Sequence, residues 1–269
     1  MQELRKIAVA GATGRVGRHV VDVLEAEGHA VVPMSRSSGV DVITGDGLAE
    51  ALVGVECIID VATWPSPDQQ EATEFFTTAA RNLQEAGERA GVRRIVVVSI
   101  IGIDRFTGGY NAAKVAHEQA MLAGLIPVRI LRAAQFHEFV PQLVDWGRQG
   151  EVSYVWKMRT QLVAARTVAE ALAALATGPE GSSDAPIPEI AGPREESLVD
   201  AARLFAARRG DPVRIEGVSN PDDPDSELYE TGAALPSPHA VLAGPTFAEW
   251  LDSASGLPRK EPAAPAPAR

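Results

Sequence analysis

The most constraining feature of this sequence is a glycine-rich segment close to its first residue. Residues 7–10 form an apolar stretch of strand length, Gly11, Gly14 and Gly17 follow, and residues 18–24 have the composition of a helix. A buried strand that enters a tight glycine turn and then a helix is typical of a phosphate-binding turn. The turn exposes backbone N–H groups, and the helix dipole adds positive charge at the same point. The segment therefore predicts a site for the diphosphate of a dinucleotide.

The residues after this turn favour the same interpretation. A second strand pattern, residues 30–34, follows Gly28 and completes a βαβ unit. Glycines at such a spacing also occur in ordinary tight turns between a strand and a helix, and that alternative stays open.

The tip of the second strand bears on which dinucleotide is bound. A protein that uses NAD usually has Asp or Glu at this position, where the carboxylate holds the ribose hydroxyls. This chain has Ser35 and Arg36 there instead. Because a guanidinium binds phosphate through two hydrogen bonds, Arg36 favours the 2′-phosphate of NADP over NAD, with Arg15 as a second phosphate partner. The alternative is that both arginines are solvated charges on loops.

The composition disfavours several classes of function. With 25 Lys and Arg against 36 Asp and Glu, the formal net charge is −11, which disfavours binding to nucleic acid or to an anionic membrane surface. The single cysteine, Cys57, excludes an intramolecular disulfide. No apolar run reaches membrane-spanning length, no signal peptide is recognised, and the histidines lack the spacing of a metal site. We expect a cytoplasmic protein without a metal.

Strand and helix patterns alternate through the first two-thirds of the chain. This alternation predicts an α/β fold with a doubly wound parallel Rossmann-type sheet and helices on both faces. We interpret residues 1–260 as a single domain whose small C-terminal substrate-side lobe is formed mainly by residues 135–165 and 187–255, and residues 261–269 as a disordered tail. The predicted strands are residues 7–10, 30–34, 55–62, 94–99, 127–132 and 187–191, and the predicted helices are residues 18–24, 48–53, 69–91, 111–124, 139–149, 168–176, 197–209 and 245–251.

Two further local predictions concern the second half of the chain. Thr167 and Glu170 have the spacing of a capping box at the start of the helix predicted for residues 168–176. Residues 211–225, rich in Pro and Asp, are predicted to be a loop.

A candidate catalytic pair follows the buried strand predicted for residues 94–99. Tyr110 and Lys114 are four residues apart, so a helix that begins at or before Tyr110 places both on one face. An ammonium close to a phenol lowers the pKa of the phenol, which would suit Tyr110 to exchange a proton with a carbonyl or alcohol oxygen. The alternative is that Tyr110 only packs against the loop at the helix entry.

Together, the glycine turn, the strand that ends in Ser99 and the Tyr-x-x-x-Lys spacing resemble the short-chain dehydrogenase/reductase superfamily. Residues 99–105 (Ser-Ile-x-Gly-Ile-Asp-Arg), 109–114 (Gly-Tyr-x-x-Ala-Lys) and 130–136 (Ile-Leu-Arg-Ala-x-Gln-Phe) are similar to its atypical, NmrA-like NAD(P)-binding members. The similarity covers roughly residues 5–210. In catalytic members a Ser or Thr usually follows the strand by one or two positions, whereas this chain has Ile100 and Ile101.

The resemblance implies a set of cofactor contacts. The pyrophosphate would be lined by Gly11, Thr13, Gly14, Arg15, Val16 and Gly17. Ser35 and Arg36 would meet the adenosine 2′ position, and Asp46 and Gly47 would lie near adenine. Ala62 and Thr63 would flank the ribose on the nicotinamide side, and Lys114 would approach that ribose. Ser99 would also be a cofactor-binding residue.

Candidate substrate contacts lie after the predicted strands. His137 follows residues 127–132 at the edge where α/β sheets bind ligands, together with Gln135 and Phe136. Trp64 would wall the pocket after the strand predicted for residues 55–62. The alternatives are that His137 lies behind the residues that contact the ligand or on the surface, and that Trp64 packs in the core.

These observations lead to a main functional hypothesis and two others. The first is an NADP-dependent oxidoreductase of the atypical short-chain type, which transfers hydride to or from a small carbonyl, enone or quinone. The second is a non-catalytic NADP-binding redox sensor, and the third is an isomerase that uses the nicotinamide transiently. All three share the binding site. We expect a small-molecule substrate and a monomer or homodimer.

Overall fold

The computed structural model describes residues 4–64, 68–179, 185–219 and 223–253, and a parallel sheet forms its centre. Its strands are β1 (Lys6–Ala10), β2 (Ala30–Met34), β3 (Cys57–Asp60), β4 (Arg94–Ile100), β5 (Val128–Ala133), β6 (Arg148–Gln149), β7 (Val152–Trp156), β8 (Arg159–Thr160), β9 (Glu189–Ala191), β10 (Glu196–Ser197), β11 (Arg214–Val218) and β12 (Val241–Leu242). The central sheet has seven strands in the order β12-β9-β5-β4-β3-β1-β2, and all its neighbouring pairs are parallel.

Helices cover both faces of the sheet. They are α1 (Gly17–Ala26), α2 (Leu48–Ala51), α3 (Gln69–Ala90), α4 (Gly109–Leu122), α5 (Phe139–Trp146), α6 (Ala165–Thr177), α7 (Leu198–Arg209), α8 (Ser226–Thr231) and α9 (Phe247–Asp252), with 3-10 turns at Arg36–Ser38 and Ile103–Arg105. Alternate residues of β1 enter different apolar clusters: Ile7 and Val9 pack with α1 and α6, whereas Ala8 packs with α3 and α4. The doubly wound fold predicted from the sequence is therefore confirmed.

A second apolar core lies beside this sheet. It combines residues 140–164 with residues 198–251, and Phe205, Phe247 and Trp250 are among its buried members. A small sheet in the order β11-β7-β6 and the antiparallel pair β8-β10 frame it. This core draws on the region predicted for the lobe, although β9 and β12 of that region join the central sheet. That the lobe binds substrate stays a prediction.

The structure corrects two predicted segments. The helix expected over residues 139–149 ends at Trp146, because the backbone of Gly147 pairs closely with that of Tyr154 on β7. Part of the loop expected over residues 211–225 is the strand β11, since Ile215 and the preceding Val213 are buried in the lobe core. The tail predicted for residues 261–269 lies outside the described residues.

The predicted cap at Thr167 is also wrong. Helix α6 begins earlier, at Ala165, and the carboxylate of Glu138 accepts the Ala165 N–H with both oxygens, at 3.2 and 3.1 Å. A carboxylate far away in the chain therefore accepts a backbone N–H at the start of α6. Thr167 is instead buried inside the first turn of the helix.

Candidate functional site

The glycine turn between β1 and α1 lies at the carboxyl edge of the sheet, where the chain order reverses between β1 and β3. Gly11 has φ +79°, and a Cβ there would lie 2.8 Å from the backbone of Ala62, which follows β3. A Cβ on Gly17 would lie 2.1 Å from the carbonyl oxygen of Gly11. Both positions require glycine, so the turn folds tightly against the loop after β3.

The start of α1 has the character of an anion site. Its N-cap residue, Val16, provides no side-chain hydrogen bond, and its first turn contains no acidic residue. Thr13 is exposed and Gly14 half-buried in the turn. The residues of the turn thus fit a diphosphate held by backbone N–H groups.

Arg15, within the turn, is directed toward the lobe. Its guanidinium donates to Gln142 Oε1 of α5 at 2.5 Å. Burial lowers the pKa of Arg15, while the nearby Glu138 carboxylate acts in the opposite direction. A role for Arg15 at a phosphate stays a prediction, since the side chain already has a partner in this conformation.

The tip of β2 presents Ser35 and Arg36. Ser35 caps the 3-10 turn Arg36–Ser38 by accepting the Ser38 N–H, and Arg36 is exposed. Within the described ranges, no hydrogen bond or ion pair engages the guanidinium of Arg36, which leaves it available to a ligand.

Asp46 and Gly47 lie at the entry to α2. The Asp46 carboxylate accepts a hydrogen bond from Thr44 Oγ1 at 2.8 Å. The side chain of Asn82, on α3, donates to the carbonyl oxygens of Val42 and Ile43 and fixes this loop. Sequence reasoning did not identify Asn82, because its partners are about 40 residues away in the chain.

Tyr110 is the second residue of α4, and its hydroxyl lies 2.7 Å from Thr63 Oγ1 in the loop after β3. Its ring packs edge-on against Phe76. Burial raises the pKa of Tyr110, the hydrogen bond with Thr63 lowers it, and the charge of Asp60 raises it. The expected lowering of this pKa by Lys114 is therefore wrong: the phenol is kept protonated at neutral pH.

Lys114 is buried beneath Tyr110 on α4 and has its own partners. Its ammonium donates to the carbonyl oxygen of Val98 on β4 at 2.9 Å and lies 2.8 Å from His117 Nδ1. It also lies over the Phe76 ring, 4.6 Å from the centroid. Burial lowers the pKa of Lys114 to about 8, against the raising effect of the Asp60 and Glu118 charges.

Two residues of this site were missed by sequence reasoning. His117 Nε2 lies 3.0 Å from Asp60 Oδ2, and both side chains are 1% exposed. Asp60 Oδ1 accepts the Ala62 N–H at 3.0 Å. The available signals were an acidic residue at the end of an apolar strand and a histidine three positions after Lys114, on the same helix face.

Four other residues were predicted to contact the cofactor or the substrate, and their surroundings in the structure differ. The Ser99 hydroxyl is buried and, among the described residues, has no hydrogen-bond partner. Trp64 is half-buried, stacks near Phe75 and donates to Glu71. Gln135 accepts a hydrogen bond from Thr160, and Phe136 is half-buried. Their roles as ligand contacts stay predictions.

The predicted substrate contact of His137 requires correction. The side chain is completely buried, its Nε2 bonds to the carbonyl oxygen of Pro245 at 3.1 Å, and its ring packs on Phe247 and Trp250. Burial lowers the pKa of His137 to about 4. His137 is therefore part of the lobe core in this conformation and cannot touch a substrate.

A cavity of about 350 Å³ lies beside the 3-10 turn after β4, apart from Tyr110 and Lys114. Its polar lining is already engaged: Arg132 pairs with Glu118 and Asp104, and Glu189 accepts from Ser237. We therefore do not place the ligand in this cavity. Among the described residues, no helix is both long and apolar enough to cross a membrane.

Comparisons with known proteins agree with this geometry. A model of the NAD(P)H-binding family matches residues 11–177. Ceramide reductase of Caulobacter vibrioides is 34% identical over 132 residues, which are 44% of this chain and 42% of that protein. L-arabinose 1-dehydrogenase (NAD(P)(+)) of Haloferax volcanii is 30% identical over 129 residues, 45% of this chain and 49% of that protein. The chain thus spans less than half the length of either relative.

A solved structure extends the comparison to the lobe. The crystal structure of dTDP-4-dehydrorhamnose reductase from Bacillus anthracis in complex with NADP has a TM-score of 0.66 and covers 93% of this chain and 98% of that chain. The two sequences are 18% identical, so this likeness shows the fold alone.

Proposed function

The chain belongs to the NAD(P)H-binding family, and we propose that it is an NADPH-dependent oxidoreductase that reduces a small carbonyl, enone or quinone, or catalyses the reverse oxidation. Two relatives named as a reductase and a dehydrogenase support this class of reaction.

The observation that carries the proposal is the contact between the glycine turn and the loop after β3. Gly11 packs against the backbone of Ala62, and the next residue, Thr63, bonds the hydroxyl of Tyr110. The loop after β3 therefore contacts the turn that would hold the cofactor's diphosphate and also bonds a proton donor. This supports a position for Tyr110 at the same edge of the sheet as the cofactor, where a proton and a hydride could reach one substrate.

The residues of the turn would hold the cofactor, and Lys114 would bind a ribose hydroxyl. When bound, the nicotinamide dinucleotide supplies the hydride in reduction or accepts it in oxidation. Tyr110 gives its phenolic proton to the carbonyl oxygen as the carbonyl carbon gains the hydride, so the product is an alcohol. The phenolate left on Tyr110 accepts the Thr63 hydrogen bond and regains a proton from solvent.

The preference for NADP over NAD is supported by the tip of β2. Arg36 is exposed and without a partner in the described ranges, and no acidic residue occupies positions 35–38 to bind ribose hydroxyls. An exposed guanidinium beside the hydroxyls of Ser35 and Ser37 fits a 2′-phosphate.

The test is NADPH oxidation, followed by absorbance, with 4-nitrobenzaldehyde and menadione as probes. We expect turnover by the wild-type protein and a loss of about 100-fold in kcat in Tyr110→Phe, with the Kd for NADPH unchanged. Tyr154→Phe, at an exposed tyrosine of the lobe, is the matched control. Tight NADPH binding without turnover of any probe would instead favour the redox sensor.

A further inference from the structure

Three buried polar side chains connect α4 with the end of β3. Asp60 and His117 are each 1% exposed and Lys114 is 4% exposed. Their polar atoms form a continuous series: Asp60 Oδ2 to His117 Nε2 at 3.0 Å, and His117 Nδ1 to Lys114 Nζ at 2.8 Å. A buried ionisable group is costly unless it is paired, so this series constrains the charge of each member.

The hydrogen-bond pattern determines the tautomer of His117. A carboxylate has no hydrogen to donate, so His117 Nε2 must carry the proton that bonds Asp60. Nδ1 then carries a lone pair and accepts a hydrogen bond from the Lys114 ammonium. Burial and the Lys114 charge both lower the pKa of His117, in agreement with a neutral ring.

The negative charge of Asp60 therefore balances the positive charge of Lys114, and the neutral imidazole of His117 lies between the two groups and bonds both. The titratable groups that face Lys114 are His117 and Glu118 on its own helix and Asp60 on β3. Glu118 is already bound through both oxygens to Arg132. Among the described residues of the other elements, Lys114 contacts the Val98 carbonyl oxygen of β4 and the Phe76 ring of α3.

Val98 and His117 use two of the three ammonium hydrogens of Lys114, and no described residue accepts the third. We propose that Asp60 and His117 are positioning residues, which keep Lys114 charged and leave its third N–H for a ribose hydroxyl of the cofactor. This inference rests on the proposed function in taking Lys114 as the cofactor contact. Asp60 also fixes the Ala62 N–H, so one carboxylate orders both Lys114 and the loop that holds Thr63.

The test is the Kd for NADPH, measured by NADPH fluorescence from pH 6 to 10 in the wild-type protein and its variants. In the wild type we expect binding to weaken about tenfold as pH rises through about 8, because Lys114 then loses the proton that gives a charged hydrogen bond. Lys114→Met should bind weakly at every pH.

Asp60→Asn is the decisive variant. The substitution removes the negative charge that raises the pKa of Lys114 and keeps nearly the same side-chain shape. We therefore expect the midpoint of the pH dependence to fall by about one unit or more. Asp104→Asn removes an acidic group at the same sheet edge that does not touch Lys114, and should keep the wild-type midpoint.

A wild-type midpoint in Asp60→Asn would overturn the inference, as would pH-independent binding in the wild type. Turnover of the probes is measured in parallel. If NADPH binding follows the expected pH dependence but no probe is reduced, the proposed function fails and this inference stands.

A second measurement is made on the wild-type protein, and a variant is needed only for assignment. The side-chain ¹⁵N shifts of the five histidines in the wild-type protein report the protonation state of each ring, with His117→Gln used for assignment. We expect His117 to remain neutral with its proton on Nε2 from pH 6 to 9. Titration of His117 in this range, or a proton on Nδ1, would contradict the inference.

Discussion

At the scale of single residues, the proposed proton transfer depends on two hydroxyl groups, those of Thr63 and Tyr110. Their oxygens are 2.7 Å apart, and Tyr110 is kept protonated by burial, as a proton donor for reduction requires. Thr63 would stabilise the phenolate that the proposed transfer leaves, since its hydrogen bond lowers the pKa of Tyr110. The apolar Ile100 at the end of β4 and the buried hydroxyl of Ser99 offer no comparable partner.

Replacing Thr63 with Val removes this hydrogen bond without a large change in volume. We expect kcat for 4-nitrobenzaldehyde to fall about tenfold or more, because the phenolate loses its donor, while the Kd for NADPH stays the same. Thr63→Ser should restore most of the loss. Thr177→Val, which removes a half-buried hydroxyl at the far edge of the sheet, is the control. An equal loss of NADPH affinity would assign Thr63 to the cofactor instead.

The exposed guanidinium of Arg36 makes a separate prediction about the cofactor. Arg36→Ala should weaken NADPH binding about tenfold and leave NADH binding unchanged, since only NADPH carries the 2′-phosphate. Calorimetric Kd values for both nucleotides test this, with Arg89→Ala, at an exposed position on α3, as the control. Unchanged selectivity in Arg36→Ala would remove this residue from the account of cofactor choice.

Among the secondary-structure elements, α1 and α6 differ in what accepts the free backbone N–H groups of the first helical turn. The start of α1 has no side-chain cap, which leaves its backbone N–H groups to the proposed diphosphate, whereas the carboxylate of Glu138 caps the start of α6. The sequence identifies the first case because glycine spacing is local. It does not identify the second, because Glu138 and Ala165 are 27 residues apart and meet only in the folded chain.

Glu138→Ala therefore tests a tertiary cap. The variant loses the two acceptor contacts to the Ala165 N–H, and we expect a loss of about 1 kcal/mol in the free energy of unfolding. Urea denaturation at pH 7 measures it, with Glu151→Ala at an exposed turn of the lobe as the control. A loss no larger than that of the control would show that α6 does not depend on this carboxylate.

In the complete fold, six of the seven strands of the parallel sheet could be predicted from apolar runs in the sequence, whereas the two-residue strand β12 could not. Much of the lobe could not be predicted either, since short strands such as β11 depend on partners far along the chain. The candidate site likewise has one part that the sequence predicts and one part that it does not. The spacing of Tyr110 and Lys114 is visible in the sequence, but the series from Asp60 to His117 to Lys114 is assembled by the packing of α4 on the sheet.

Because His137 is buried, we expect the free energy of unfolding to depend on pH. Its pKa is about 4 in the folded protein and about 6.5 when exposed, so below pH 6.5 the unfolded chain binds a proton that the folded chain does not. Stability is expected to fall by roughly 3 kcal/mol between pH 6.5 and 4 from this group. Urea denaturation across this range should show a shallower decline in His137→Phe than in the wild type or in the exposed-site control His239→Gln. Equal slopes would contradict this role.

Binding of the cofactor at the glycine turn is tested by a calorimetric titration of NADPH into the wild-type protein and into Gly17→Ala. A Cβ at Gly17 would lie 2.1 Å from the Gly11 carbonyl oxygen and must displace the turn. Gly108→Ala adds the same methyl group where the nearest atom is 3.8 Å away, and serves as the control. We expect one NADPH per chain in the wild type and the control, and a loss of about tenfold or more in affinity in a folded Gly17→Ala. No binding heat in the wild type at millimolar NADPH, or unaltered affinity in Gly17→Ala, would contradict the assignment of this turn as the cofactor site.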